Sequence, residues 1–177
     1  MYDIDNAGAI AGFWTSTLVP PTSPPGAECT AVDINANATY VAIGCTTTPY
    51  LHVWAINNGG SGTPSWGSKV ATVVDLPDGA INGVKFSPDG TQIAIAIDTS
   101  PYVEVYEFNG GTIGDKASSP LTLPTGIGYD VDWQKENVTG LTNLAVAHDF
   151  TPFISVYPFT TNATAAGIFG VKLDNPS

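Results

Sequence analysis

Val84–Phe108 reads VKFSPDGTQIAIAIDTSPYVEVYEF, and its order of runs and breaks predicts three antiparallel strands joined by tight turns. Val84 to Phe86 is a short β-forming run. Ser87-Pro88-Asp89-Gly90 is a turn in which Pro presets φ, Asp can bond its own backbone and Gly can take a positive φ. Gln92 to Ile97 is apolar on both faces, which suits a strand buried between two layers. Asp98-Thr99-Ser100-Pro101 breaks that run, and Tyr102 to Tyr106 alternates in residue type as a third strand does. One such meander cannot cover both of its faces, so it needs neighbours of the same kind.

Those neighbours are written into the chain. A shift of 52 residues places Val84 on Val32, Phe86 on Ile34, Ala94 on Ala42, Tyr102 on Tyr50, Val105 on Val53 and Tyr106 on Trp54, and continues back to put Trp66 on Trp14 and Pro77 on Pro25. Downstream, with small gaps, Val131-Asp132-Trp133 takes the first strand, Leu144 to Ala147 the second and Pro152 to Tyr157 the third. The third-strand signature therefore reads PYLHVW, PYVEVY and PFISVY. A unit of about 50 residues with three or four strands has the spacing of propeller blades.

FSPDG, followed by a short apolar strand and then an apolar-x-apolar-aromatic strand, resembles the WD-repeat and related propeller blades, of bacterial or phage type. The resemblance covers nearly the whole chain, with blades from Cys29 to Pro77, Ile81 to Pro124 and Tyr129 to Leu173. It implies an all-β fold, a β-propeller fragment of about three four-stranded antiparallel blades plus one extra N-terminal strand. As segments, 1–25 is the outer strand and loop of a preceding blade, and 26–77, 78–125 and 126–177 are blades. The Gly-His pair of a true WD blade is missing, and its closing Trp-Asp survives only as Trp54-Ala55 and Tyr106-Glu107. The hydrogen-bonded network that staples WD blades is therefore not carried over.

At 177 residues the chain holds just over three units, whereas complete propellers usually have four to eight. Either the chain is a fragment of a longer product or several copies close a ring. Open blade faces and strand edges are liabilities unless covered. Self-association, most simply a homodimer, is therefore expected. The Pro-rich stretch Val19 to Gly26 aligns with the approach to Pro77 and reads as an inter-blade loop.

Composition narrows the partners. Hydrophobic residues at 43% against 12% charged suffice for a core, and nothing follows helical periodicity. A net charge of −11 with no arginine argues against nucleic acid and anionic membranes. No run of about 18 apolar residues exists to span a membrane. The acidity reads first as a solvated surface.

Cys29 and Cys45 fall opposite one another if the hairpin turns around Ala36-Asn37, and one repeat later the same pair is Ile81 and Ile97. Both sites are expected to be buried, as a disulfide or as two packed thiols. A bridge would imply an oxidising compartment or a virion exterior.

Chemistry is sparse. His52 fills the polar slot held by Glu104 and Ser155 in the other units and reads as an ordinary strand residue. His148-Asp149-Phe150 aligns with Ile97-Asp98-Thr99 at the loop between second and third strands. The loop residues Asp98, Thr99, Ser100, His148, Asp149 and Phe150 are therefore the candidate binding residues. Glu28, Asp78 and Asp130, near first strands, are weak candidates for a divalent cation at a channel, as in propeller lactonases. No zinc spacing, phosphate loop, nucleophile elbow or cofactor motif occurs, and sialidase-type chemistry is disfavoured without arginine. The reading is a non-catalytic binding or structural module for protein or glycan, placed at a virion or extracellular surface. Its alternatives are a metal-dependent hydrolase whose site forms in the complete ring and an intracellular interaction scaffold.

Overall fold

A computed structural model describes residues 21, 23–58, 64–73, 75–135, 141–162 and 165–174. The expected extra N-terminal strand lies outside them. Among the described residues twelve strands form three sheets, each a meander in sequence order. The first blade holds β1 (Cys29–Ile34), β2 (Tyr40–Cys45), β3 (Leu51–Asn57) and β4 (Ser65–Lys69). The second holds β5 (Ile81–Phe86), β6 (Gln92–Ile97), β7 (Val103–Asn109) and β8 (Thr112–Lys116), and the third β9 (Gly128–Trp133), β10 (Leu141–His148), β11 (Ile154–Asn162) and β12 (Ala165–Phe169). This is the all-β, four-stranded, antiparallel blade architecture that the repeat implies.

The turn at Ser87–Gly90 forms for the reasons its residues give. Gly90 takes φ +72° and donates its N–H to the Ser87 carbonyl at 2.8 Å. The Asp89 carboxylate accepts from Ser87 Oγ at 2.6 Å and from the Thr91 N–H at 3.0 Å. The β6 run QIAIAI is buried at every position, because blades lie on both sides of it.

Register repeats from blade to blade. Cys29 pairs with Cys45, Ile81 with Ile97 and Gly128 with His148, and each pair is followed by a bulge, at Thr30, Asn82 and Tyr129. The blades stack through two cores. In the first, Val84 and Phe86 meet Ala42, Leu51 and Val53. In the second, Val131 and Trp133 meet Ala94, Ala96, Val103 and Val105.

Cys29 and Cys45 are joined as a disulfide. Cys45 is fully buried but Cys29 is exposed, which corrects the expectation of a buried pair. Ile81 is covered because the first blade packs on it. The described residues hold no blade in front of β1, so Cys29 opens on an uncovered flank.

Candidate functional site

The loops between second and third strands are built alike in all three blades. Thr48-Pro49, Ser100-Pro101 and Thr151-Pro152 are cis peptides, and the aromatic that follows takes a left-handed φ: +61° at Tyr50, +69° at Tyr102 and +67° at Phe153. Each such residue is fixed on both sides. The Tyr50, Tyr102 and Phe153 N–H groups donate to Thr47, Thr99 and Phe150 carbonyls, and their own carbonyls accept from Cys45, Ile97 and His148. A cis-Pro at the third position closed by that hydrogen bond makes each loop a type VI turn.

These turns are tied to the linkers that enter each first strand, so turns and linkers share one end of the sector. The Thr46 N–H donates to the Glu28 carbonyl at 2.9 Å, and the equivalent Asp98 N–H to the Ala80 carbonyl at 3.1 Å. Asp98 adds its carboxylate, which accepts the Ala80 N–H at 2.9 Å, while Thr99 Oγ1 donates to the Asp78 carbonyl at 3.0 Å. This fits only because Gly79 has no side chain: a Cβ there would stand 2.4 Å from Asp98 Oδ1. In the third blade Thr125 Oγ1 donates to the Thr151 carbonyl at 3.1 Å. Asp149 sits over Gly126 as Asp98 sits over Gly79, but its Oδ1 is buried without a partner.

The candidate residues separate by direction. Asp98, Thr99, Ser100 and Phe150 are exposed, Phe150 at 61%. His148 is buried, with Nε2 3.0 Å from Ser155 Oγ and Nδ1 3.4 Å from Thr125 Oγ1. It spans the turn from inside. Its register partner is Gly128, where the second blade has Ile81, and the backbone of the second blade approaches that glycine too closely for a side chain.

The proposed cation ligands do not gather. Among the described residues no group of three or more His, Cys, Asp or Glu is placed to hold a metal ion. Asp130 Oδ1 accepts the Val131 N–H at 2.9 Å. Asp78 belongs instead to a polar cluster, buried at Glu104 and open at Asp75 and Asp78, that the sequence did not reveal. Lys116 Nζ lies 3.1 Å from Glu104 Oε1, 3.4 Å from Asp78 Oδ2 and 3.7 Å from Asp75 Oδ1, and the Tyr106 hydroxyl donates to Glu104 Oε2 at 3.0 Å. Burial, helped by a hydrogen bond with Asp78, raises the Glu104 carboxyl to about 7 against the pull of the Lys116 charge. Burial also works to lower the Lys116 ammonium, but the carboxylates around it, Glu104 first, outweigh that and leave it raised. The cluster fastens the linker between the first and second blades to β7 and β8. His52, in the slot equivalent to Glu104, stacks on Trp54 at 5.6 Å and is lowered by burial and by the Lys69 charge.

No helix among the described residues is long and apolar enough to cross a membrane. No protein-family model matches the chain, and no curated protein matches it. Solved structures of the WD-repeat type are similar in fold. The β-propeller domain of Myceliophteria thermophila Cps50 (Swd1) superposes at TM-score 0.51 and 13% identity, over 76% of this chain and 40% of that one. U3-55K gives 0.54 and 12%, over 85% and 40%, and Kluyveromyces lactis Hsv2 gives 0.51 and 14%, over 86% and 49%. The chain thus spans less than half the length of each of these structures, and at such identities the likeness is one of architecture: three blades of a β-propeller.

Proposed function

We propose that the protein is a non-catalytic binding module whose ligand, a glycan or a protein segment, meets the end of the sector formed by the type VI turns. The observation that carries this reading is the division of labour within those turns. The groups able to do acid–base chemistry are already engaged: His148 is buried against Ser155 and Thr125, and Asp98, though exposed, accepts the Ala80 N–H. What faces outward is hydroxyl and aromatic, namely Thr47, Thr48, Ser100, Thr151 and Phe150, and rigid turns on a sheet scaffold are a common place for recognition. The acidic residues in the turns, Asp98 and Asp149, make no ion pair with a lysine among the described residues, which favours neutral or cationic ligands. The disulfide supports an extracellular or particle-surface setting. Self-association belongs to the same reading, since a three-blade sector with bare flanks offers only part of such an end.

The test is a titration of neutral glycans and basic peptides against the wild-type chain, Phe150→Ala and Ser100→Ala variants. Binding that weakens at least about tenfold in the variants, with melting temperature unchanged, is expected. Ester or lactone turnover that Glu28→Gln or Asp130→Asn abolishes would overturn the reading in favour of a hydrolase.

A further inference from the structure

We propose that the flank of the first blade, open along β1 at Val32 and Ile34, and the flank of the third blade, open at Ala147 and Ile154, are the two halves of one junction, and that two copies of this chain pair head to tail through them into a closed six-blade ring. The inference rests on the reading that the sector works within a ring, and not on what the turn end binds.

The junction is built twice inside the molecule, so its rules are on view. An entering first strand supplies two apolar side chains, Val84 and Phe86 on β5 or Val131 and Trp133 on β9, each 6% exposed or less. The receiving blade supplies small residues on its second strand and aliphatic ones on its third: Ala42, Gly44, Leu51 and Val53 at one junction, Ala94, Ala96, Val103 and Val105 at the other. The third blade repeats the receiving set at Ala145, Ala147, Ile154 and Val156, where no blade covers it: Ile154 is 41% exposed and Ala147 is exposed. The first blade repeats the entering pair at Val32 and Ile34, 62% and 53% exposed. Each flank carries what the other lacks.

The polar fastenings repeat as well. The bulge residue of each blade reaches forward to the next first strand: Thr30 Oγ1 donates to the Ile81 carbonyl and Asn82 Nδ2 to the Gly128 carbonyl. The bulge residue of the third blade is Tyr129, which is exposed, and the carbonyl in the acceptor position of the first blade is that of Cys29. Asp33 Oδ2 accepts the Phe86 N–H at 2.9 Å. At the second junction Lys85 stands in the place of Asp33, and Trp133 Nε1 donates to its carbonyl instead; at the proposed junction the Asp33 and Phe86 positions are those of Asp132 and Ile34.

A second copy is the occupant because these flanks match one another position by position, which no unrelated surface is bound to do. A head-to-tail contact must close into a ring or run on as a filament. Two copies of three blades give six, inside the usual range of four to eight, and closure leaves no Val or Ile flank in water.

The experiment is light scattering coupled to size exclusion on the 177-residue chain, with Val32→Glu and Ile154→Glu, one substitution per flank. Both positions are exposed in the single chain, so circular dichroism of the variants should match wild type. The wild-type mass should be twice 18.3 kDa, and each variant alone should be monomeric, with dimer association weakened at least about a hundredfold by a buried unpaired charge. An equimolar mixture of the two should recover part of the dimer, because one of its two junctions joins the intact flank of one variant to the intact flank of the other. A monomeric wild type would overturn the proposal, leaving the flanks to further blades of a longer chain. So would a mass that climbs with concentration, or an Ile154→Glu variant that stays fully dimeric. A wild type that binds ligand at its turn end yet never dimerises sinks the ring and leaves the binding reading standing.

Discussion

Lys116 Nζ lies 3.1 Å from Glu104 Oε1, a carboxylate whose side chain is 1% exposed. The pair is not a simple ion pair, because burial and the hydrogen bond with Asp78 hold the Glu104 carboxyl near 7. Its folded value therefore stands above its unfolded one, and between about pH 4.5 and 7 the folded chain keeps a proton that the unfolded chain has lost. The stability this gives is complete below pH 4.5 and disappears as pH rises through about 7. Melting temperature measured from pH 5 to 8.5 should fall in the wild type. In Glu104→Gln, where the group cannot titrate, the slope should flatten, since a few kcal/mol of pH-dependent stability no longer changes across the window. A parallel pair of curves would remove Glu104 as the cause.

Gly79 and Asp98 form a matched pair. A Cβ at Gly79 would lie 2.4 Å from Asp98 Oδ1 and 2.3 Å from Thr99 Oγ1, both engaged by the linker. Gly79→Ala should therefore cost about 1–3 kcal/mol. The first blade shows the compatible alternative, Ala27 with Thr46 at the equivalent positions. The double variant Gly79→Ala/Asp98→Thr should be more stable than the sum of its parts by at least about 1 kcal/mol, a coupling that a double-mutant cycle in urea reads directly.

How far this was legible in the sequence can be argued from the same residues. The 52-residue shift set Val84 on Val32, a hairpin turning around Ala36-Asn37 set Cys29 against Cys45, and both registers are those of the fold. Such information is local, carried by a turn and an alternation. The alignment of His148 with Ile97 already pointed inward, because Ile97 is an apolar strand position. Reading His148 as a loop residue gave its side-chain chemistry more weight than its register. The Glu104–Lys116 contact was out of reach, because it depends on the bulge between β7 and β8, where Tyr106 pairs with Lys116 but Phe108 with Ile113. The bare flanks were foreseen only in general, since a repeat predicts its neighbours and says nothing of which ones a chain supplies.

Thr30 and Asn82 hold successive blades together from one structural position. Asn82 Nδ2 donates to the Gly128 carbonyl at 2.9 Å across the second junction. Asn82→Ala should cost about 1 kcal/mol. Gly128→Ala should cost more, about 2 kcal/mol or above, because its Cβ would stand 2.3 Å from the Tyr102 backbone oxygen, which cannot swing aside as a side chain would. Thermal melts of the two variants test this order. Equal costs would mean that the carbonyl contact, and not the close approach of the backbones, governs the junction.

The Cys29–Cys45 bridge closes a loop across 16 positions of sequence on the flank where no blade covers β1. Its contribution is the loss of freedom it imposes on the unfolded chain, about 3 kcal/mol for a loop of this size. Reduction, or Cys29→Ser with Cys45→Ser, should lower the melting temperature by roughly 6–12 °C in a domain of this length. Cys29→Ile with Cys45→Ile copies the Ile81–Ile97 pair of the second blade. It should recover part of that loss in the single chain, because Cys45 is buried while position 29 is open to water. The recovery should be larger in the dimer, where a neighbouring blade would cover position 29. Identical melts for the Ser and Ile variants at dimer-forming concentration would mean that nothing packs on that flank.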